Sequence, residues 1–171
     1  MNAESQTQIK LMILYMLNRV NFQLSDSQIL GYFKNDGVEE ADLRMLLGEM
    51  ASNSLVEVEK RPDKNLLGIT KEGEETLGYF ESKISEKDRS DIESFLESRR
   101  IDLRKENTSL ADYRETENNQ YEVRLEVREG RKRLIDLRIS ADNEKMAEHM
   151  CEKWQDSSSE IYNFVVHRLL E

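Results

Sequence analysis

The chain has 171 residues, 37% of them hydrophobic and 35% charged, with a single proline. This composition is typical of globular proteins and favours helix, because long disordered segments carry fewer apolar residues and more proline. A formal charge of −10 and a pI near 4.9 exclude a generally basic nucleic-acid-binding surface, so any contact with DNA must come from a local cationic patch.

Targeting and membrane signals are weak in this sequence. The most apolar segment, residues 9–20, is about half the length of a membrane span and contains Lys10 and Arg19. The residues before it do not resemble a secretory signal. The single Cys151 cannot form an intrachain disulfide. We therefore expect a cytoplasmic protein that makes no use of a membrane.

Three helices are predicted in the first 53 residues. Residues 8–20 are apolar nearly all round, which is typical of a helix enclosed by its own domain or packed against a second subunit. Ser25 and Gln28 have the spacing of a capping box and begin a second helix. A third helix is predicted over residues 39–53, since its apolar residues follow the spacing i, i+3, i+4, i+7. These are Leu43, Leu46, Leu47 and Met50.

A β-hairpin and a fourth helix come next. Residues 55–60 alternate between apolar and polar, and residues 66–70 return after a turn at residues 61–65, which predicts two paired strands. The turn carries a short run of charged residues, Lys60, Arg61, Asp63 and Lys64, around Pro62. Thr70 is placed to cap the helix that follows.

The second half changes its period. A charged helix with a narrow apolar stripe is predicted from Ser85 to about residue 106. Strict alternation over residues 121–127 and 135–139, with a further strand at 110–116, predicts a three-stranded antiparallel sheet with one dry face and one charged face. Two helices are expected to cover the dry face, the second of them starting at Ser157 with a capping box.

The predicted fold class is therefore α+β. We divide the chain into an N-terminal domain over residues 1–84, a connecting helix over 85–106 and a C-terminal domain over 107–171 that serves dimerisation or sensing. The first and last helices are apolar over more than one face, which requires extra burial. They are the predicted interface of a homodimer.

The N-terminal segments LSDSQILGYF and LLGEMASNSLVEVE, followed by Ile69, Thr70 and Gly73, resemble the winged helix-turn-helix domains of bacterial PadR-like and MarR-like regulators. The whole chain, with ESRRIDLRKE, DYRETENNQYEVRLEVREG and LIDLRI, is similar to an uncharacterised Firmicute family, domain of unknown function 4364. This resemblance implies an N-terminal winged helix and a small C-terminal α+β domain. It carries no established activity.

If the third helix is a recognition helix, its buried stripe fixes which residues point outwards. Only Arg44 among them suits bidentate recognition of a base. Four acidic residues on the helix would oppose the approach of phosphates, namely Glu39, Glu40, Asp42 and Glu49. The hairpin tip and the start of the fourth helix offer cationic and amide side chains for the DNA backbone or minor groove. The candidate DNA-binding residues are Ala41, Arg44, Met45, Ser52, Lys60, Arg61, Lys64, Asn65 and Lys71.

Each of these features has a simpler interpretation. Basic tips occur on ordinary solvated hairpins, and Arg44 could form a surface salt bridge. A second basic cluster, Arg128, Arg131, Lys132 and Arg133, is interleaved with acidic residues and favours a mixed solvated surface. The leading hypothesis is a DNA-binding transcriptional regulator acting as a homodimer. The alternative is a protein-interaction adaptor that presents its acidic helix to a basic partner and binds no DNA.

Catalysis finds no support in the sequence. His149 and His167 lie in different predicted helices, and His149 and Cys151 lie on different faces of one helix, a poor geometry for a metal. Cys151 falls in an apolar stripe and is predicted to be a buried, inert thiol. Neither a glycine-rich phosphate loop nor a Ser-His-Asp set is present. We therefore expect no enzymatic activity, no cofactor and no metal.

Overall fold

The computed structural model describes residues 2–34, 37–130 and 132–170. The chain forms two compact units, Met1–Leu103 and Arg104–Glu171. Each unit contains a three-stranded antiparallel sheet, so the predicted α+β class is confirmed.

The helices and strands of the first unit follow the predicted order. They are α1 (Ala3–Arg19), β1 (Leu24–Ser25), α2 (Asp26–Phe33), α3 (Glu40–Ser52), β2 (Val56–Lys60), β3 (Asn65–Ile69) and α4 (Lys71–Phe80), followed by α5 (Glu86–Thr108). The sheet order is β1-β3-β2. The sequence does not predict β1, because two residues are too few to show an alternation. Helix α5 occupies the predicted connector, and the boundary between the two units falls inside it.

Helix α1 lies in the core of the first unit. Its residues Ile9 and Leu11 to Leu17 are all buried, with Ile13, Leu14 and Met16 fully inaccessible. Of the two predicted alternatives, the structure therefore supports enclosure by its own domain. The apolar surface that suggested α1 as a contact between subunits is already covered, which removes the reason for that prediction.

Side-chain caps fix where the helices of the first unit begin. The Ser25 hydroxyl accepts from the amide of Gln28 at 3.2 Å, and the Gln28 side chain accepts from the amide of Ser25 at 2.9 Å, which confirms the capping box. Thr70 caps α4 by accepting from the amide of Gly73 at 3.0 Å. Each cap satisfies an amide that the helix leaves without an internal partner.

Gly73, three residues after Thr70, is a glycine for a steric reason. A Cβ atom at position 73 would lie 2.1 Å from the carbonyl oxygen of Leu55. That same carbonyl accepts from the amide of Thr70 at 3.2 Å. The start of α4 thus packs directly on the backbone that leads into β2, and only glycine permits this approach.

Replacing Gly73 with alanine should lower the free energy of unfolding by about 1–3 kcal/mol, because the backbone of one segment must move to admit the methyl group. Urea unfolding followed by circular dichroism measures this change. Gly78→Ala is the matched control, since Gly78 lies in the same helix with open space around it. It should be neutral or stabilising by up to about 1 kcal/mol. An unfolding midpoint that Gly73→Ala leaves unchanged would contradict the account.

The second unit is a sheet covered by one helix. Its elements are β4 (Ser109–Glu115), β5 (Tyr121–Glu129), β6 (Lys132–Ala141) and α6 (Glu144–Leu170), with the strand order β4-β5-β6. Val123 and Leu125 pack with Ala147 and Trp154 of α6 in a separate apolar core. The Trp154 indole donates to the carbonyl of Glu126 at 3.1 Å. Cys151 is only half-buried against this core, not fully buried as predicted.

The prediction of two covering helices is wrong, because α6 runs unbroken from Glu144 to Leu170. Ser157 therefore lies inside a helix and does not begin one. The next residue, Ser158, is held by the sheet, since its hydroxyl lies 2.8 Å from that of Ser109, and nearby Gln155 donates to the carbonyl of Ser109 at 2.9 Å. These contacts offset the weak helix propensity of the serine run.

The charged side of β5 is partly buried, so the mixed solvated surface expected for the basic cluster at residues 128–133 is wrong for Arg128, while Arg131 lies outside the described residues. Glu126 is fully buried and Arg128 is nearly so. Arg128 lies 2.7 Å from one Glu126 oxygen and Arg124 lies 2.7 Å from the other. Arg124 also donates to Asp136 at 2.9 Å, and this hydrogen bond is the main cause that lowers the pKa of Asp136. The arginines are therefore held by carboxylates inside the unit.

Candidate nucleic-acid interface

Helix α3 divides into a buried and an exposed face as predicted. The four apolar residues of its stripe are buried. Ala41, Arg44, Met45, Gly48 and Ser52 are exposed, and Met45 shows 46% of its surface. A Cβ atom added at Gly48 would meet nothing within 4 Å. Packing within the fold therefore does not explain why this position is glycine.

Arg44 is engaged in a salt bridge on the surface of α3. Its guanidinium lies 2.8 Å from the carboxylate of Glu40, one turn earlier, and 3.6 Å from that of Asp26. The hydrogen bond to Glu40 is the largest of the causes that raise the pKa of Arg44. The alternative interpretation of Arg44, a surface ion pair, describes the observed geometry. A base or phosphate would have to compete with two carboxylates for this side chain.

Asp26 joins α3 to the hairpin. It is 8% exposed and accepts from the Asn65 side-chain amide at 2.8 Å while lying beside Arg44. Arg44 and Asn65 are candidate DNA-binding residues from different segments of the chain, and Asp26 brings them together. The sequence analysis did not single out Asp26. Its position in the first turn of α2 was the available signal, but an acidic residue there is ordinary, because it complements the helix dipole.

The hairpin tip exposes fewer cationic side chains than its sequence predicts. Arg61 turns inwards with 4% of its side chain exposed, and it lies 3.4 Å from the carboxylate of Glu59. Lys64 is half-buried, while Lys60 is exposed. Lys71, at the start of α4, is also exposed. In the part of the chain that the structure describes, neither Lys60 nor Lys71 forms an ion pair.

The acidic character of α3 is also reduced by pairing. Glu49 lies 2.6 Å from the ammonium of Lys10 in α1, and Glu40 is paired with Arg44. Two of the four acidic residues expected to repel phosphates are thus compensated within the fold. The surface around the exposed face of α3 is closer to neutral than the sequence predicts.

The chain matches the family model described as domain of unknown function 4364 over residues 9–169. It belongs to this family. No curated protein and no solved structure matches the chain. The family match spans both compact units of this member of family 4364, and its description names no activity.

A cavity of about 850 Å³ lies where the end of α1 meets α5 in this family 4364 protein, lined by Arg19, Phe22, Glu93 and Arg100 among others. Beside it, Tyr15 donates to Glu93 at 2.6 Å and Arg19 donates to the Tyr15 hydroxyl at 2.7 Å. Burial is the main cause that raises the pKa of Tyr15, and the hydrogen bond from Tyr15 is the main cause that lowers that of Glu93. Tyr15, Arg19 and Glu93 therefore form hydrogen bonds with one another at the edge of this cavity.

Two absences hold for the residues that the structure describes. None of their helices is both long and apolar enough to cross a bilayer. No cluster of three or more histidine, cysteine or acidic side chains suited to a metal ion occurs among them.

Proposed function

We propose that the first unit is a winged helix-turn-helix domain that binds duplex DNA, and that the protein is a transcriptional regulator. The observation that carries this proposal is the link through Asp26 between the exposed helix α3 and the hairpin that follows it. In such domains the second helix of the pair enters the major groove. The β2–β3 hairpin would then serve as the wing. The role is one of binding rather than catalysis.

The electrostatic contribution to this binding is small and local. Lys60 and Lys71 are exposed, and Lys64 is half-buried at the turn. Because each phosphate neutralised by a lysine releases condensed counterions, these three residues set the salt dependence of binding. Arg44, Arg61 and Asn65 contribute less than their sequence suggests, since carboxylates already hold their side chains.

We propose further that two copies act together through the end of α6. Among the described residues, neither apolar core includes its last turns, where Phe164, Leu169 and Leu170 are 66%, 80% and 82% exposed. The apolar side chains there follow the helical spacing i, i+3, i+4, i+7, i+8, namely Tyr162, Val165, Val166, Leu169 and Leu170. A pair that sets two α3 helices about 34 Å apart would double the contacts with DNA.

The adaptor remains a second candidate because Met45 exposes nearly half of its surface on a helix face with few available cations. Such a face also suits a protein partner. Amide hydrogen exchange with and without a duplex of about three helical turns separates the two functions. The regulator requires added protection in Glu40–Ser52 and Val56–Ile69. Protection confined to the second unit, or none at all, would favour the adaptor.

Replacing Glu40 with glutamine should strengthen binding to duplex DNA several-fold, because it removes a negative charge and releases Arg44 from its closest partner. Fluorescence anisotropy with a labelled duplex measures this change. Glu97→Gln is the matched control, since Glu97 pairs with Arg100 on the surface of α5. Equal gains in both variants would show that only net charge matters and that Arg44 has no part in the contact.

A further inference from the structure

We infer that helix α3 selects DNA sites by their thymine methyl groups, which it contacts through Met45 and Ala41. This inference rests on the proposed function and adds to it the feature of the DNA that is read. It begins from the exposed face of α3, where Arg44, Ser52 and Glu49 already form hydrogen bonds within the fold.

Three hydrogen-bonding side chains on or beside this face have intramolecular partners. The guanidinium of Arg44 lies between Glu40 and Asp26. The Ser52 hydroxyl donates to the carbonyl of Gly48 at 2.9 Å, so its proton is directed back along the helix. The carboxylate of Glu49 accepts from Lys10 at 2.6 Å. Bidentate recognition of guanine or adenine, which needs an available arginine, lysine, asparagine or glutamine, is therefore poorly provided for on this face.

The groups that remain are apolar and small. Ala41 and Met45 are four residues apart and Gly48 is three residues further, so all three lie along one side of α3. Met45 is 46% exposed, and its flexible, polarisable thioether adapts to irregular apolar surfaces. Open space around Gly48 leaves the helix backbone able to approach the floor of a groove closely.

The major groove presents one apolar group, the C5 methyl of thymine. A face with exposed apolar side chains and few available hydrogen-bond donors or acceptors matches this group best. Burying one such methyl should tighten binding about fourfold, which is the effect of removing one aliphatic carbon from water. Sites with several thymines placed along the groove should therefore be preferred over sites rich in G·C pairs.

The test compares two A·T-rich duplexes of identical sequence, one containing thymine and the other deoxyuridine, which lacks only the methyl group. The protein should bind the thymine duplex about fourfold tighter for each methyl contacted, at the same salt concentration. Met45→Ala should lose most of this difference. Met146→Ala is the matched control, because Met146 is similarly exposed on α6, and it should keep the difference.

The outcomes separate this inference from the proposal on which it rests. Salt-dependent binding with equal affinity for the two duplexes would overturn the reading of thymine and leave DNA binding intact. A preference that Met45→Ala keeps in full would overturn the role of Met45. Failure to bind either duplex at low salt would overturn DNA binding itself.

Discussion

Replacing Glu126 with alanine is expected to destabilise the protein by about 3–5 kcal/mol, the usual cost of removing one partner from a buried ion pair. Glu126 is fully buried, and Arg128, with 6% of its side chain exposed, lies 2.7 Å from it. Without the carboxylate, this guanidinium keeps its charge in a site from which water is largely excluded. Urea unfolding followed by the fluorescence of Trp154, the single tryptophan, reports the loss.

A neighbouring glutamate on the same strand provides the control. Glu122 pairs with Arg114 at 2.8 Å, but 30% of its side chain is exposed. Glu122→Ala should cost less than about 1 kcal/mol, as exposed ion pairs do. Replacing Glu126 and Arg128 together with apolar residues of similar size should cost less than Glu126→Ala alone, because no charge is left unpaired. Equal losses for Glu122→Ala and Glu126→Ala would contradict this account of the second unit.

Replacing both Lys60 and Lys71 with alanine is expected to weaken DNA binding about fiftyfold at roughly 0.1 M salt and to make the slope of log affinity against log salt less negative by about 1.8. Both lysines are exposed, at the hairpin tip and at the start of α4. Each accounts for one released counterion. Anisotropy titrations at several salt concentrations give the affinity and the slope together.

In the sequence, Arg61 and Lys60 are equivalent candidates for DNA binding, but in the structure the two side chains differ in exposure. Because the side chain of Arg61 is 4% exposed and paired with Glu59, Arg61→Ala should lower the stability of the first unit and leave the salt slope unchanged. This variant is therefore the matched control for the lysine substitutions. A slope reduced as much by Arg61→Ala as by Lys60→Ala would show that the hairpin rearranges on DNA.

The elements of the first unit follow from the sequence because their signals are local. The spacing of Leu43, Leu46, Leu47 and Met50 fixes the buried face of α3, and side-chain caps fix where α2 and α4 begin. Strand β1 is missed because its two residues become a strand only by pairing with β3. The pattern of neighbouring residues in the sequence cannot reveal such pairing between distant segments.

The remaining differences come from tertiary contacts. In the sequence, the serine run in α6 resembles a helix boundary. In the structure, the hydroxyl of Ser158 lies close to that of Ser109. Alternation along β5 correctly separates its two faces, but it cannot show that the charged face is buried at Glu126. In the candidate site, the exposed residues of α3 are predictable from periodicity. The partners of Arg44 and Arg61 are not predictable, because a long flexible side chain can reach several carboxylates.

The salt dependence of duplex binding by the unmodified protein is the decisive measurement for DNA binding by the first unit. With phosphate contacts from Lys60, Lys64 and Lys71, the slope of log affinity against log salt should be about −2.7 for one copy and about twice that for a pair. Titrations between about 20 and 200 mM salt cover the range in which this electrostatic contribution dominates. An absence of binding at the lowest salt, or an affinity that salt does not change, would contradict DNA binding by the first unit.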